Sequence, residues 1–219
     1  MKTSKHINVG CWLVVLLLVG NYAIAQDVEN EYQTRTELKL SFKPWKKVKV
    51  NVSPQLRFDE SFTLDKSLIE GELEYKVLDL LTLGAAYRFI ANQREKKDTE
   101  YLSRYSYSAT AEKDFNRFEG AFRLMYSNYA DDDDDDVLDF LRYKLSIKYD
   151  IAKCKITPSV STELFQELNG SSVYKMRYSV GADYKLFKGN YLGVDYKFDY
   201  YKSEYRNKHI VSVGYKIKF

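Results

Sequence analysis

From residue 33 onward, apolar and polar residues alternate with a period of two, the spacing that places successive side chains on opposite faces of a strand. In 138–149, Leu141, Tyr143, Leu145, Ile147 and Tyr149 share one face, and Arg142, Lys144, Ser146 and Lys148 share the other. In 172–186, Met176, Tyr178, Val180, Ala182, Tyr184 and Leu186 stand opposite Arg177, Ser179, Asp183 and Lys185. The same reading predicts eleven strands: 33–42, 47–59, 67–77, 82–92, 99–112, 117–129, 138–149, 153–166, 172–186, 190–203 and 207–219.

The connections differ by turns. Short ones fall near Pro44, Asp79, Phe115, Ile151 and Lys188, roughly 36 residues apart. Longer polar ones lie between them, at 60–66, 93–98, 130–137, 167–171 and 203–206. A meander of antiparallel hairpins with short turns at one end and longer loops at the other is the layout of a bacterial outer-membrane barrel, short turns in the periplasm. Alternation alone does not say which face points inward, and a soluble barrel or sandwich alternates too. The uniformly long strands favour the membrane form, since strands of soluble sheets average about 5–6 residues. So do the near-equal hairpins. Aromatics near strand ends (Phe42, Phe58, Phe89, Tyr101, Phe118, Tyr149, Tyr174, Tyr200 and Phe219) suit two interfacial girdles.

Residues 212–219, S-V-G-Y-K-I-K-F, place Val213, Tyr215, Ile217 and Phe219 on one face. Gly214, Tyr215, Ile217 and Phe219 match the order of a C-terminal signal read by barrel-assembly machinery. At the other end, Lys2 and Lys5 precede the apolar run 12–20 and the small-x-small site Ala23-Ile24-Ala25. That pattern is a secretory signal peptide over 1–25, leaving 26–219 as one barrel domain in the outer membrane of a Gram-negative cell. The apolar run is too short for an ordinary transmembrane helix, which takes about 20 residues.

Composition agrees: the chain holds 20 Tyr and 12 Phe against 3 Pro and 10 Gly, so strand formers prevail. The net charge of +3 falls by two once Lys2 and Lys5 leave, too balanced for a nucleic-acid partner. Outside the signal only Cys154 remains, so no intramolecular disulfide is expected.

Gln55-Leu56-Arg57-Phe58, Leu73-Glu74-Tyr75-Lys76, Tyr87-Arg88-Phe89, Leu141-Arg142-Tyr143-Lys144, Ala182-Asp183-Tyr184-Lys185 and Gly214-Tyr215 to Phe219 carry a family likeness. Over essentially the whole of 26–219 the chain resembles the predicted outer-membrane barrels of Bacteroidetes grouped as a domain of unknown function. The resemblance implies the fold and the location, and no activity. An even strand number is usual for bacterial barrels, so the expectation is about twelve strands, with 26–32 supplying a short extra one, or else ten.

The polar face is densely charged. Arg57, Glu72, Glu74, Arg88, Arg104, Glu119, Arg123, Arg142, Lys144, Arg177, Asp183, Asp195 and Lys197 are the residues expected to face the lumen. The basic excess suggests a narrow passive, porin-like channel with mild anion preference. The alternative is a structural or surface-interaction barrel whose lumen is plugged by salt bridges. A lipid-modifying enzyme is the weakest reading. It would need a partnered histidine, and His209 shares the apolar face while Ser212 lies on the other. Asp131–Asp136 reads as a solvated outer loop, lacking the spaced acids and Gly of a calcium loop. No catalytic residue, cofactor or metal site is expected, and the protein is read as a non-enzyme. The expected partners are membrane lipid, lipopolysaccharide and the barrel-assembly machinery.

Overall fold

The structure is a computed structural model that describes residues 28–93, 98–129, 138–169, 173–202 and 206–219. Residues 1–25, where a signal peptide is expected, and the Asp131–Asp136 run lie outside the described residues. Eleven strands follow in chain order: β1 (Glu29–Trp45), β2 (Val48–Phe58), β3 (Leu64–Lys76), β4 (Leu81–Asn92), β5 (Glu100–Phe115), β6 (Phe118–Ser127), β7 (Phe140–Tyr149), β8 (Ile156–Glu167), β9 (Val173–Phe187), β10 (Asn190–Tyr201) and β11 (Arg206–Lys218). Each pairs with its sequence neighbour, and β1 pairs with β11 to close the barrel.

All sequential pairs are antiparallel, and the β1–β11 seam is parallel, running from Glu29 beside Arg206 to Ser41 beside Lys218. This follows from parity. Antiparallel neighbours reverse direction at every step, so the first and last of an odd number of strands point the same way. The count is therefore eleven where even parity suggested about twelve. Residues 29–32, expected in an extra strand, instead lengthen β1. At the end of the seam, Phe219 N–H donates to Ser41 O at 2.9 Å. The Phe219 ring stacks on Phe42, centroids 4.7 Å apart and planes 2° from parallel.

One rim carries the tight turns. Asn116 opens the β5–β6 turn with a left-handed backbone (φ 58°), a conformation that Asn tolerates better than most residues. Gly189 (φ 78°) does so between β9 and β10, where a Cβ would also lie 2.6 Å from Lys218 O. The other rim carries the longer loops.

The apolar face points out. Leu145 is 52% exposed, and Leu73, Phe122, Val160, Val180 and Val194 stand exposed on neighbouring strands. Lys144, one residue away, lines the interior. The arrangement is the inverse of a soluble barrel, whose apolar residues fill the middle. Phe42 with Phe219 and Phe118 with Tyr149 (centroids 4.8 Å) mark the short-turn rim, and Phe89 stacks on Tyr101 (5.7 Å) near the long-loop rim. Tyr174 departs from the expected girdle. Its ring packs on Phe140 and Tyr201 (5.3 and 5.5 Å), two residues on the lumen side, because the ladder shifts register beside Phe165 and turns this end of β9 over the barrel mouth.

The parallel seam is directly testable. Thr36 and Val213 are neighbours across it. With Cys154→Ser as background, the pair Thr36→Cys and Val213→Cys should be joined by a short bifunctional thiol reagent, giving faster migration on denaturing gels. Thr36→Cys with Lys208→Cys should not join. Equal yields from the two pairs would show that β1 and β11 do not close the barrel in this register.

Candidate functional site

The lumen is stratified. At the long-loop rim its wall is apolar and aromatic: Leu68, Ile90, Phe140, Phe165, Tyr201 and Ile210 are all buried, on the interior face of their strands. After β6 the chain turns inward. Ser127 Oγ donates to Tyr129 O at 2.7 Å, and Asn128 Oδ1 accepts from Tyr105 N–H at 2.7 Å, so this side chain takes the place of a ladder partner. The turn carries Tyr129 into the barrel, where its buried ring lies against the Arg88 and Arg142 guanidiniums (4.7 and 5.6 Å to the centroid). Phe165, fully buried, is faced by Arg142, Lys175 and Arg177 at 4.4, 4.8 and 5.4 Å. Cations set over aromatic faces away from water gain on the order of 2 kcal/mol each.

Just inside that lid lie ion pairs. Arg177 is bidentate to Asp199, with Nε–Oδ1 and Nη2–Oδ2 both 2.6 Å. Lys175 Nζ reaches Asp199 Oδ2 at 3.1 Å and Tyr201 Oη at 3.3 Å. Lys175 and Asp199 are each 0% exposed. One carboxylate thus serves two cations in a site closed to bulk solvent.

Register then sets the middle of the barrel. Arg123, Lys144, Glu163, Arg177 and Asp199 are consecutive cross-strand partners from β6 to β10. Glu163 Oε1 accepts from Arg123 Nη2 at 3.0 Å and from Arg142 Nη2 and Nε at 3.0 and 3.1 Å. Arg88 pairs with Glu70 (2.8 Å) on the facing wall. Two residues along the strands comes a row of small side chains: Ala121, Ser146, Ser161 and Ser179. Beyond that row, glycines make room for carboxylates. A Cβ at Gly181 would lie 2.1 Å from Asp195 Oδ1, and one at Gly193 2.8 Å from Asp183 Oδ1.

These small residues leave a chamber of about 450 Å³. A narrower recess of about 190 Å³ continues from it toward Tyr129 and Arg142. Lys49–Glu74 (2.9 Å), Lys39–Glu72 (3.5 Å) and Lys148–Glu119 brace the wider end. Exposure rises along the lumen, from 0% at Lys175 to 45% for the Lys148 side chain near the short turns. The chamber is open at the short-turn rim and blind at the other.

All thirteen residues expected in the lumen lie on the interior face. They do not form one group. Arg57 and Arg104 are buried near the lid, at 1% and 2% exposure, and Arg177 packs under Phe165. Glu72, Glu74, Glu119, Arg123, Lys144, Asp195 and Lys197 line the chamber, with Arg88 and Arg142 at its blind end. Asp183 pairs with Lys216 (3.7 Å) at the mouth. Alternation alone could not reveal the lid, because Phe140, Phe165 and Tyr201 are apolar residues in the polar phase. The signal was that they cluster at the loop ends of their strands.

His209 faces outward, its Nδ1 2.7 Å from Tyr196 Oη and Nε2 3.3 Å from Asn30 Oδ1, stacked on Tyr32 at 5.0 Å. Among the described residues no cluster of three or more His, Cys, Asp or Glu could hold a metal ion. A groove of about 550 Å³ runs over the outer wall at Leu38, Leu56, Ile69 and Phe89, where the β1–β2 ladder lapses beside Pro54. Pro offers no N–H there.

Asp199→Asn should destabilise the barrel by about 3–5 kcal/mol, the cost of breaking a buried ion pair from one side. The midpoint of urea unfolding in detergent measures it. A shift of less than 1 kcal/mol would show that Lys175 and Arg177 find other compensation.

No curated protein matches the chain. A solved structure described as "Unveiling the Mechanism Behind the in-meso Crystallization of Membrane Proteins" is 12% identical, with a TM-score of 0.41, over 82% of this chain and 73% of that one. At that level of similarity the match supports no conclusion about this chain. A family model described as "Protein of unknown function (DUF2490)" matches residues 32–209, from the start of β1 into β11, and the chain belongs to that family.

Proposed function

We propose that this protein is a non-conducting β-barrel of the outer membrane, with its long-loop rim facing outward and its polar chamber opening toward the periplasm. One observation carries the reading: a closed ladder with an apolar outer wall surrounds a charged lumen that is sealed at one end by buried aromatic and cationic side chains. Exposed Leu, Val and aromatic residues over a whole barrel exterior are far more apolar surface than a soluble monomer keeps. The shortest strands, β6 and β7, have 10 residues, enough for a tilted strand to cross a bilayer. Lipid and lipopolysaccharide are then the partners of the outer wall. Gly214, Tyr215, Ile217 and Phe219 would be read by the assembly machinery before Phe219 docks on Phe42.

The narrow channel suggested by the basic lumen finds no support in this geometry. Tyr129, Phe165 and Tyr201 occupy the path an ion would take, and Arg88, Arg123, Arg142 and Arg177, expected to line a pore, are held by carboxylates or rings. The salt-bridged, plugged barrel is the better reading, modified by the chamber at its open end. His209 faces the lipid side with a tyrosine and an asparagine as its hydrogen-bond partners, a set without the nucleophile of an acyl-transfer site.

Residues 26–219, refolded with and without detergent, should be monodisperse only with it. In planar bilayers the refolded barrel should show no steady single-channel steps. A monodisperse, cooperatively unfolding monomer in plain buffer would overturn the membrane reading. Reproducible conductance steps would overturn the closed lumen.

A further inference from the structure

The chamber's blind end has a charge pattern that its own wall does not balance. Arg123, Arg142 and Lys144 converge on one carboxylate, Glu163, already shared by both guanidiniums through Oε1. Among the described groups none hydrogen-bonds the Lys144 ammonium, which stands between Arg123 and Glu163 in register. Arg123 Nε is buried without a partner. Three cations against one anion, partly withdrawn from solvent, favour a further negative charge. In the next row stand Ser146 and Ser161, which line the chamber and whose hydroxyls make no hydrogen bond to a described group. Ammonium, guanidinium N–H and hydroxyl donors around one space are what an oxyanion takes up. Small side chains hold that space open over about 450 Å³, the volume of a small metabolite site.

We propose that the chamber is a binding site for a small solute bearing a phosphate or carboxylate group, entering from the short-turn side, with Lys144 and Arg123 as its charge partners and Ser146 and Ser161 as hydroxyl donors. The proposal rests on the closed-lumen reading, because an anion bound in an open pore would pass through. The remainder of the solute would lie toward the mouth, where Glu112 and Asp195 offer acceptors on the chamber wall.

The test uses residues 26–219 refolded in a non-ionic detergent, with inorganic phosphate and succinate as probes in isothermal titration calorimetry against a constant chloride background. At least one probe should bind saturably, one per barrel. Lys144→Met should weaken that binding about tenfold or more, the usual consequence of losing a hydrogen bond to a charged group. Ser161→Ala should weaken it less, and Lys202→Met, exposed at the opposite long-loop rim, not at all. Thermal unfolding of each variant without probe separates loss of binding from loss of fold. If Lys144→Met does not fold, Lys144→Gln replaces it. Absence of saturable binding by both probes would overturn the proposal, as would binding unchanged by the Lys144 variants. Bilayer recordings on the same preparation separate the two readings. A silent barrel that binds neither probe refutes the anion site alone, and a conducting barrel refutes the closed lumen beneath it.

Discussion

Everything in this barrel depends on the pairing of β1 with β11. A sheet exposed to lipid cannot leave a row of N–H and C=O groups unpaired, because no water is present to take them and each costs several kcal/mol. Closure satisfies them. With eleven strands it does so through a parallel ladder over Glu29–Ser41 and Arg206–Lys218, joining residues far apart in the chain. The ten other pairings are local hairpins whose ends are brought together by short connections. The seam alone pays the entropy of closing almost the whole chain, and its terminal Phe42–Phe219 stack and Phe219 N–H to Ser41 O bond lie where fraying would start.

The lumen solves a second problem created by inversion. With apolar residues turned outward, the interior must be filled by polar groups, and these are tolerated only when paired. The pairing is done in layers. Near the long loops, large cations lie over aromatic rings and around Asp199. In the middle, register aligns Arg123, Lys144 and Glu163 side by side. Near the short turns, serines, glycines and alanines replace the large residues and water can enter. The change from large to small side chains along each strand makes the chamber, with no change in strand number or backbone path.

Much of this was legible beforehand. Period-two alternation locates all eleven strands within a few residues, and loop lengths assign the two rims. The polar phase of each strand names the lumen residues, because side-chain parity survives any barrel geometry. Three things were not legible in the alternation. Periodicity carries no sign, so the outward direction of Leu145 is legible only through strand length and hairpin regularity. The seam leaves no local trace: β1 and β11 meet through backbone atoms that every residue has, and even parity argued for a strand that does not exist. Tyr174 breaks the phase at a strand end, where the ladder stops constraining the chain, and Tyr129 is an aromatic in the polar phase beyond the last rung of β6. Asn128 turns one of them inward with its own side chain, and a register shift turns the other.

The parallel seam also decides how the barrel can be joined to anything else. β1 begins at the long-loop rim, beside the start of β11, whereas β11 finishes at the short-turn rim. A polypeptide attached ahead of Glu29 therefore emerges on one face of the barrel, and one attached behind Lys218 on the opposite face. An even-stranded barrel returns both attachment points to a single rim, where a short linker can join them and new termini can be cut elsewhere. This barrel cannot be rewired that way, because the linker would have to cross its full height. Modules fused at the two ends would instead be displayed at opposite rims of the barrel.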